Sequence, residues 1–196
     1  VPFSLSDASD ILVNADDVSF VWRGEHITVP VGGLFMVMNA VAAATAASVL
    51  EVSMSDIIGG LRTLVPIPGR FEPVPNDLGI GVIVDYAHTP DGLDQLLSTA
   101  RTVCEGELIV VFGCGGDRDH GKRPLMGNFA AEKCDVVFVT SDNPRTENPN
   151  EIINDIVSGI DSRTRHMVSA VVDRREAITS AISGAKRGDI VVIAGK

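Results

Sequence analysis

Positive charge is in short supply in this 196-residue chain: 16 Lys and Arg face 26 Asp and Glu, for a formal net charge of -10. A sequence-independent affinity for DNA, RNA or anionic lipid is thereby excluded, because such binding needs clustered cations to neutralise phosphates. Any anionic ligand must meet a local basic cluster. The chain also lacks a C-x-x-C pair. Its cysteines, Cys104, Cys114 and Cys134, are odd in number and lie ten and twenty residues apart, which reads as cytosolic thiols rather than a disulfide framework or a zinc site. No secretory or transit segment is visible. The single apolar run long enough to raise the membrane question, 31–50, follows Pro30 and carries Asn39, Thr45 and Ser48, so a buried helix is the expectation. The chain begins at Val1 and stops at IVVIAGK, directly after a strand-like run, and is expected to be a piece of a longer, cytoplasmic protein.

What is present is globular: 45% hydrophobic and 21% charged residues, enough for one domain or one domain plus part of another. Residues 10–29 alternate short β-like runs with turns, as a hairpin or meander does. An apolar helix is predicted over 34–50, and a second over 55–64, capped by Ser53 or Ser55 and ending before Pro66. The stretch PIPGRFEPVPND holds four of the ten prolines and reads as a connector. Beyond it the pattern becomes a regular alternation. Strands are predicted at GIGVIVDY, ELIVVFG, CDVVFVTS, RHMVSAVV and DIVVIAG, with helices near 91–103, 123–133, 149–160 and 174–186. Continuous apolar strands separated by helices imply a doubly wound α/β domain with a mostly parallel sheet covered on both faces. The segments leaving the carboxyl ends of its strands, DYAHTPDG, GCGGDRDHGKRP, SDNPRTENP and AGK, then share one rim, where ligands bind in such sheets.

Three of these segments carry chemistry. GDRDHGKR, from Gly116 to Arg123, fits the first seven places of the phosphate loop G-x-x-x-x-G-K-[ST], with Arg123 where Ser or Thr would hold magnesium. Asp117 and Asp119 would also repel an anion at its centre. A glycine-permitted turn with a solvated charge run is one alternative. The other is a loop whose Arg118, Lys122 and Arg123 meet carboxylates while its aspartates orient those cations or meet an amine. In SDNPRTENPNE, Asn148 as N-cap, Pro149 at the first helical position and Glu151 three places on predict a helix start close to Asp142 and Arg145. Paired opposite charges there suit a zwitterion, and Arg can hold a carboxylate with two parallel hydrogen bonds. A capped helix with a surface Asp-Arg pair explains the same residues. VDYAHTPDG puts Asp85 and His88 at a strand end, fit for a ribose or a metal-bound phosphate, or with Asp91 merely capping the next helix. Asn39, in an apolar helix, should have a partner, since an unpaired buried amide costs about 1–3 kcal/mol.

Taken in order and spacing, GGLFMVMNAVAAA, VPIPGRFEPV, VDYAHTPDGL, VFGCGGDRDHGKRPLMG, TSDNPRTENP and IAGK resemble the Mur ligases, and within them the members that add meso-diaminopimelate. The resemblance implies that residues 1–72 are the later part of a central ATP-binding domain and 73–196 most of a C-terminal domain of Rossmann-like type. It implies a monomeric, ATP- and Mg2+-dependent amide ligase of peptidoglycan synthesis acting on UDP-N-acetylmuramoyl-L-alanyl-D-glutamate through an acyl phosphate. The phosphate loop, a carbamylated lysine and the magnesium ligands would lie upstream, with no covalent catalytic residue and no metal ligand in this sequence. Diaminopimelate would be recognised by Arg118, by Asp142, Asn143, Pro144 and Arg145, and by Gly195, with a further Glu in a GHE following Lys196. Asn39 matches the adenine neighbourhood, Arg70 and Asp85 the ribose and phosphates, and His88 the phosphate region. Met36 replaces the first Asn of the family's G-x-F-N-x-x-N pattern, while Gly33, Phe35 and Asn39 match it. Two rivals follow: a non-catalytic amino-acid-binding module, and a ligase of the folylpolyglutamate synthetase group, against which GGDRD-x-GKRP and DNPR argue. Cys114, near the site, is expected to be dispensable.

Overall fold

Chain order in the computed structural model begins with a meander: β1 (Ala8–Val13), β2 (Val18–Trp22) and β3 (Glu25–Val29) pair antiparallel in that order. Residues 1–14, 16–65 and 67–195 are described; Pro66, expected to stop a helix, and Lys196 of AGK lie outside the described residues. The turn between β2 and β3 is Arg23-Gly24, both at positive φ (51° and 85°), the backbone that a two-residue hairpin loop needs. Alternation along β2 buries Val18, Phe20 and Trp22 on one face. Against that face pack α1 (Leu34–Val49), through Val37, Ala40, Val41 and Ala44, and α2 (Met54–Arg62), through Ile57 and Leu61. Ser53 caps α2 by accepting from Asp56 N-H at 3.2 Å. The first strand starts two to three residues earlier than the sequence pattern predicts, because an irregularity between Ser9 and Leu12, with Asp10 at φ 50°, breaks its alternation. Among the described residues no helix is long and apolar enough to cross a membrane.

The chain divides into two compact units, Val1–Glu72 and Pro73–Lys196. The second is built on a six-stranded sheet of order β4-β5-β9-β6-β7-β8: β4 (Glu72–Pro73), β5 (Gly81–Asp85), β6 (Leu108–Phe112), β7 (Val136–Val139), β8 (Val168–Ala170) and β9 (Ile190–Ala194). The pairs β5·β9, β9·β6, β6·β7 and β7·β8 are all parallel. Every residue of β6 is buried, as expected of a central strand covered on both faces. The covering helices are α3 (Pro90–Val103), α4 (Lys122–Lys133), α5 (Pro149–Ser158) and α6 (Arg174–Gly184). In α3 the buried Leu93, Leu96, Leu97 and Ala100 recur at helical spacing, and α5 does the same with Ile152, Ile153, Ile156 and Val157. Three caps set where these helices begin. Thr89 accepts from Gly92 N-H at 3.1 Å, Asn148 from Asn150 N-H at 2.9 Å and Asp173 from Glu176 N-H at 2.9 Å. Thr89, not Asp91, is therefore the cap of α3, and Asp91 lies in its first turn. The strand predicted over RHMVSAVV shrinks to three residues, since Arg165–Met167 form a 3-10 turn before the edge strand β8.

Candidate functional site

Two loops leaving neighbouring strands form the centre of the site. The first follows β6 as GCGGDRDHG, and the second follows β7 as SDNPRTEN. They are joined by backbone and side-chain bonds: Gly116 N-H donates to Asn143 O at 2.8 Å, and Arg145 Nη1 to Gly116 O at 2.6 Å. Thr146 donates from Oγ1 to Asp117 Oδ1 at 2.7 Å and from its N-H to Oδ2 at 3.3 Å, while Asp117 N-H donates to Glu147 Oε1. Such an approach demands glycine at position 116, where a Cβ would lie 2.0 Å from Pro144 O.

The same bonds decide what GDRDHGKR is. A phosphate cradle needs free backbone N-H groups. Here those of Gly116, Asp117, Gly121 and Arg123 are already directed at Asn143 O, Glu147 Oε1, Asp119 Oδ1 and His120 O. Its three cations have different fates. Arg118 is exposed and without a hydrogen bond or ion pair among the described residues. Lys122 donates from Nζ to His88 O at 2.8 Å. Arg123 is 0% exposed and is held by protein carboxylates, with Nη2 2.8 Å from Glu147 Oε1 and Nη1 2.9 Å from Asp155 Oδ2. Arg123 therefore meets carboxylates as expected, but they belong to the fold, so it is not available to a ligand. The Glu147 hydrogen bonds are the largest influence raising its pKa, and reciprocally they hold the Glu147 carboxyl down at about 2.

Around the loops lies a cleft of about 730 Å³. Arg118, Asp142, Asn143, Arg145 and Gly195 all line it, and residues of all four predicted rim segments take part. Pro144 is not among its lining residues; its carbonyl instead accepts from Glu147 N-H at 3.0 Å. Gly195, at φ 80°, donates its N-H to Asp85 O at 3.0 Å. His88, expected with the phosphates, lines this same cleft; its Nδ1 is 3.0 Å from Tyr86 O and its ring meets that of Tyr86 edge-on at 4.9 Å. Asp85 does not line the cleft, and its Oδ1 accepts from Ala87 N-H at 2.7 Å. Asn39 and Arg70 line a separate crevice of about 270 Å³ in the first unit, walled by apolar side chains including Val29, Val31, Met36 and Leu61. Asn39 is exposed there rather than buried, so its amide bears no burial cost and needs no protein partner.

Several residues of the cleft were not singled out from sequence. Tyr86 and Leu125, 46% and 53% exposed, give it apolar wall. Glu147 and Thr146 organise the loops and look in sequence like part of a helix cap. Arg174 donates from Nη2 to Ala194 O at 2.9 Å, its Nη1 is buried and has no hydrogen-bond partner among the described residues, and burial lowers its pKa while the Asp142 charge opposes that. Cys114 is buried, its Sγ 3.6 Å from Met126 Sδ, and burial pushes the thiol up to about 11. No group of three or more His, Cys, Asp or Glu able to hold a metal occurs among the described residues.

An open, mainly parallel sheet whose strand-end loops gather into one charged cleft defines a doubly wound α/β ligand-binding unit. Residues 69–196 match the Mur ligase, glutamate ligase domain, and the chain belongs to the Mur ligase family. It is 49% identical over 193 residues to the UDP-N-acetylmuramoyl-L-alanyl-D-glutamate--2,6-diaminopimelate ligase of Clostridioides difficile strain 630, covering 96% of this chain and 40% of that protein. A solved structure of a ligase with that name is 41% identical, with a TM-score of 0.68, over 96% of this chain and 39% of that one. A Mycobacterium tuberculosis folylpolyglutamate synthase complexed with ADP and AMPPCP is similar with a TM-score of 0.75 at 21% identity, over 96% of this chain and 45% of that one, a likeness of fold. The chain thus spans about 40% of the length of that curated relative and of a second one of the same name.

Proposed function

We propose that the intact protein is an ATP-dependent amide ligase of peptidoglycan synthesis that adds meso-diaminopimelate to UDP-N-acetylmuramoyl-L-alanyl-D-glutamate. The observation that carries this reading is the cleft in which exposed Arg118, Arg145 and Asp142 face one space. Two guanidinium groups and one carboxylate complement an amino acid with two carboxylates and an ammonium group. Lysine would leave a cation without its counter-charge, so the site selects by attraction and by the cost of an unpaired group. Relatives named for this reaction support the reading at 49% identity, whereas the folate-type ligase shares fold alone.

The residues of this chain act by holding the amino acid, with its amine presented for attack on the γ-acyl phosphate of the D-glutamyl residue; the contribution is proximity and electrostatics, with no covalent nucleophile. The 270 Å³ crevice in the first unit, apolar except for Asn39 and Arg70, suits a heteroaromatic base with a polar edge, and ATP when bound supplies the phosphoryl group. Asp85 and His88 are proposed for the nucleotide's polar end, Asn143 and Gly195 for the amino acid, and Pro144, whose carbonyl accepts from Glu147 N-H, for the shape of the loop that presents Asn143 and Arg145. Magnesium is assigned to ligands outside this chain. The protein is proposed to work in the cytoplasm as a monomer, and residues 1–196 alone are expected to show no ligation.

Calorimetric titration of the intact protein with meso-diaminopimelate and with lysine, each with ATP and the UDP-linked dipeptide present, tests the reading. Diaminopimelate should bind more tightly, and Arg145→Ala should reduce that preference by about tenfold to a hundredfold, the worth of one or two charge-assisted hydrogen bonds. A preference for lysine, or discrimination untouched by Arg145→Ala, would sink it. Turnover with folate in place of the dipeptide would favour the folylpolyglutamate-type rival.

A further inference from the structure

Arg123 and Glu147 touch no proposed ligand, yet they connect the two loops that carry the recognition arginines. Arg123 is fully buried and donates to both carboxylate oxygens of Glu147, at 2.9 and 2.8 Å, and to Asp155 at 2.9 Å. Glu147 in turn accepts the N-H of Asp117, the residue before Arg118. Thr146, the residue after Arg145, bonds the Asp117 carboxylate through both its hydroxyl and its N-H. Asp117 and Arg145 each adopt the left-handed backbone, at φ 52° and 50°. For residues other than glycine that conformation is costly and persists only where the surroundings impose it. The imposed residues are the neighbour of one recognition arginine and the other arginine itself.

We propose that Glu147, gripped by Arg123 and seconded by Thr146, is a positioning residue that fixes the separation of Arg118 and Arg145 and so sets the enzyme's selectivity for an amino acid bearing two carboxylates. The proposal rests on the reading of the cleft given above. A pair of guanidinium groups discriminates between two carboxylates and one only while their spacing is held; loops free to part let each cation adapt to whatever anion arrives. Loosening the clamp therefore costs recognition of the amino acid rather than the chemistry of the acyl phosphate, which this chain's loops do not perform. A carboxamide at 147 keeps an acceptor for Asp117 N-H but leaves buried Arg123 with a single counter-charge. Thr146→Val is gentler: it keeps the shape and the Arg123 pair and removes one hydroxyl bond.

Steady-state kinetics of the intact ligase test this, with Glu147→Gln and Thr146→Val each assayed against diaminopimelate, lysine and ATP in turn, alongside a melting temperature. The expected result is a KM for diaminopimelate raised about tenfold, kcat and the KM for ATP within about twofold of wild type, and a smaller preference for diaminopimelate over lysine, as misplacement of a binding group produces. A fall in kcat and a rise in both KM values, tracking a lower melting temperature, would show the clamp to be structural only and overturn the proposal. Unchanged kinetics in both variants would overturn it too, with wild type still preferring diaminopimelate. Wild type with no such preference would overturn the reading of the cleft, and the clamp's role with it.

Discussion

Three cations lie within six residues, Arg118 in the β6 loop and Lys122 and Arg123 at the start of α4, and only their surroundings separate their roles. Arg118 is exposed and unpaired among the described residues, Lys122 holds the His88 carbonyl, and Arg123 is buried between Glu147 and Asp155. A guanidinium taken out of water must be paired, or the buried charge costs several kcal/mol; Arg123 is a frame member for that reason, whereas Arg118 stays exposed in the cleft, where its role as a ligand contact is proposed. The same residue-scale logic applies to the thiols. Burial pushes Cys114 up to about 11 and Cys134 higher still, while Cys104 is half-buried. Since the thiolate is the reactive form, burial keeps Cys114 almost wholly protonated and unreactive at pH 8. Iodoacetamide applied to the native protein at that pH, followed by peptide mass mapping, should label Cys104 first and leave Cys114 and Cys134 unmodified. Cys114→Ser in the intact protein should leave the proposed ligation unchanged; rapid labelling of Cys114, or loss of ligation in a folded Cys114→Ser variant, would mean the thiol is engaged in the chemistry.

At the scale of elements, the contact between the β6 and β7 loops depends on one missing side chain. A Cβ at Gly116 would lie 2.0 Å from the Pro144 carbonyl oxygen, and that neighbour is backbone, so the loops themselves must part. Gly116→Ala is expected to destabilise the protein by about 1–3 kcal/mol and to weaken diaminopimelate binding beyond what the lost stability explains. Melting temperature together with titration separates the two effects, and a variant that binds like wild type would refute the close-contact account. Much of this arrangement was legible beforehand. The apolar run of β6 and the i, i+3, i+4, i+7 spacing of Leu93, Leu96, Leu97 and Ala100 in α3 announce a covered strand and an amphipathic helix by local pattern alone. The order of the rim segments follows from the parallel topology. What stayed hidden depends on partners distant in sequence. His120-Gly121-Lys122-Arg123 has the appearance of a solvated charge run, and nothing local says that Glu147 and Asp155, 24 and 32 residues on, close over Arg123. Glu147 likewise reads as helix-entry decoration, and the shortening of RHMVSAVV to a three-residue edge strand is set by the 3-10 turn at Arg165–Met167 rather than by β propensity.

For the molecule as a whole, the excess of acidic residues makes low pH the informative challenge, because the carboxylates that structure depends on must then be protonated. Glu147 is the carboxylate that joins the β6 loop to buried Arg123. Its hydrogen bonds to Arg123 first, and to Asp117 N-H second, hold it near 2 against an ordinary value of 4.5. A carboxyl that is more acidic folded than unfolded favours the folded state whenever both forms are ionised. That contribution is therefore complete above about pH 4.5 and is lost as the pH falls from 4.5 towards 2. The full difference in stability between wild type and Glu147→Gln should be present at about pH 5, and the gap should narrow as the solution is taken from 4.5 towards 2. Denaturant titrations followed by far-ultraviolet circular dichroism are the appropriate measurement. The single Trp, Trp22, is buried in the core of the first unit, so its fluorescence reads that unit first, whereas circular dichroism reads both. A gap that stays constant down to pH 2, or widens, would mean that Glu147 is not ionised against Arg123 in the folded protein, and that the two loops are held together by their neutral hydrogen bonds alone.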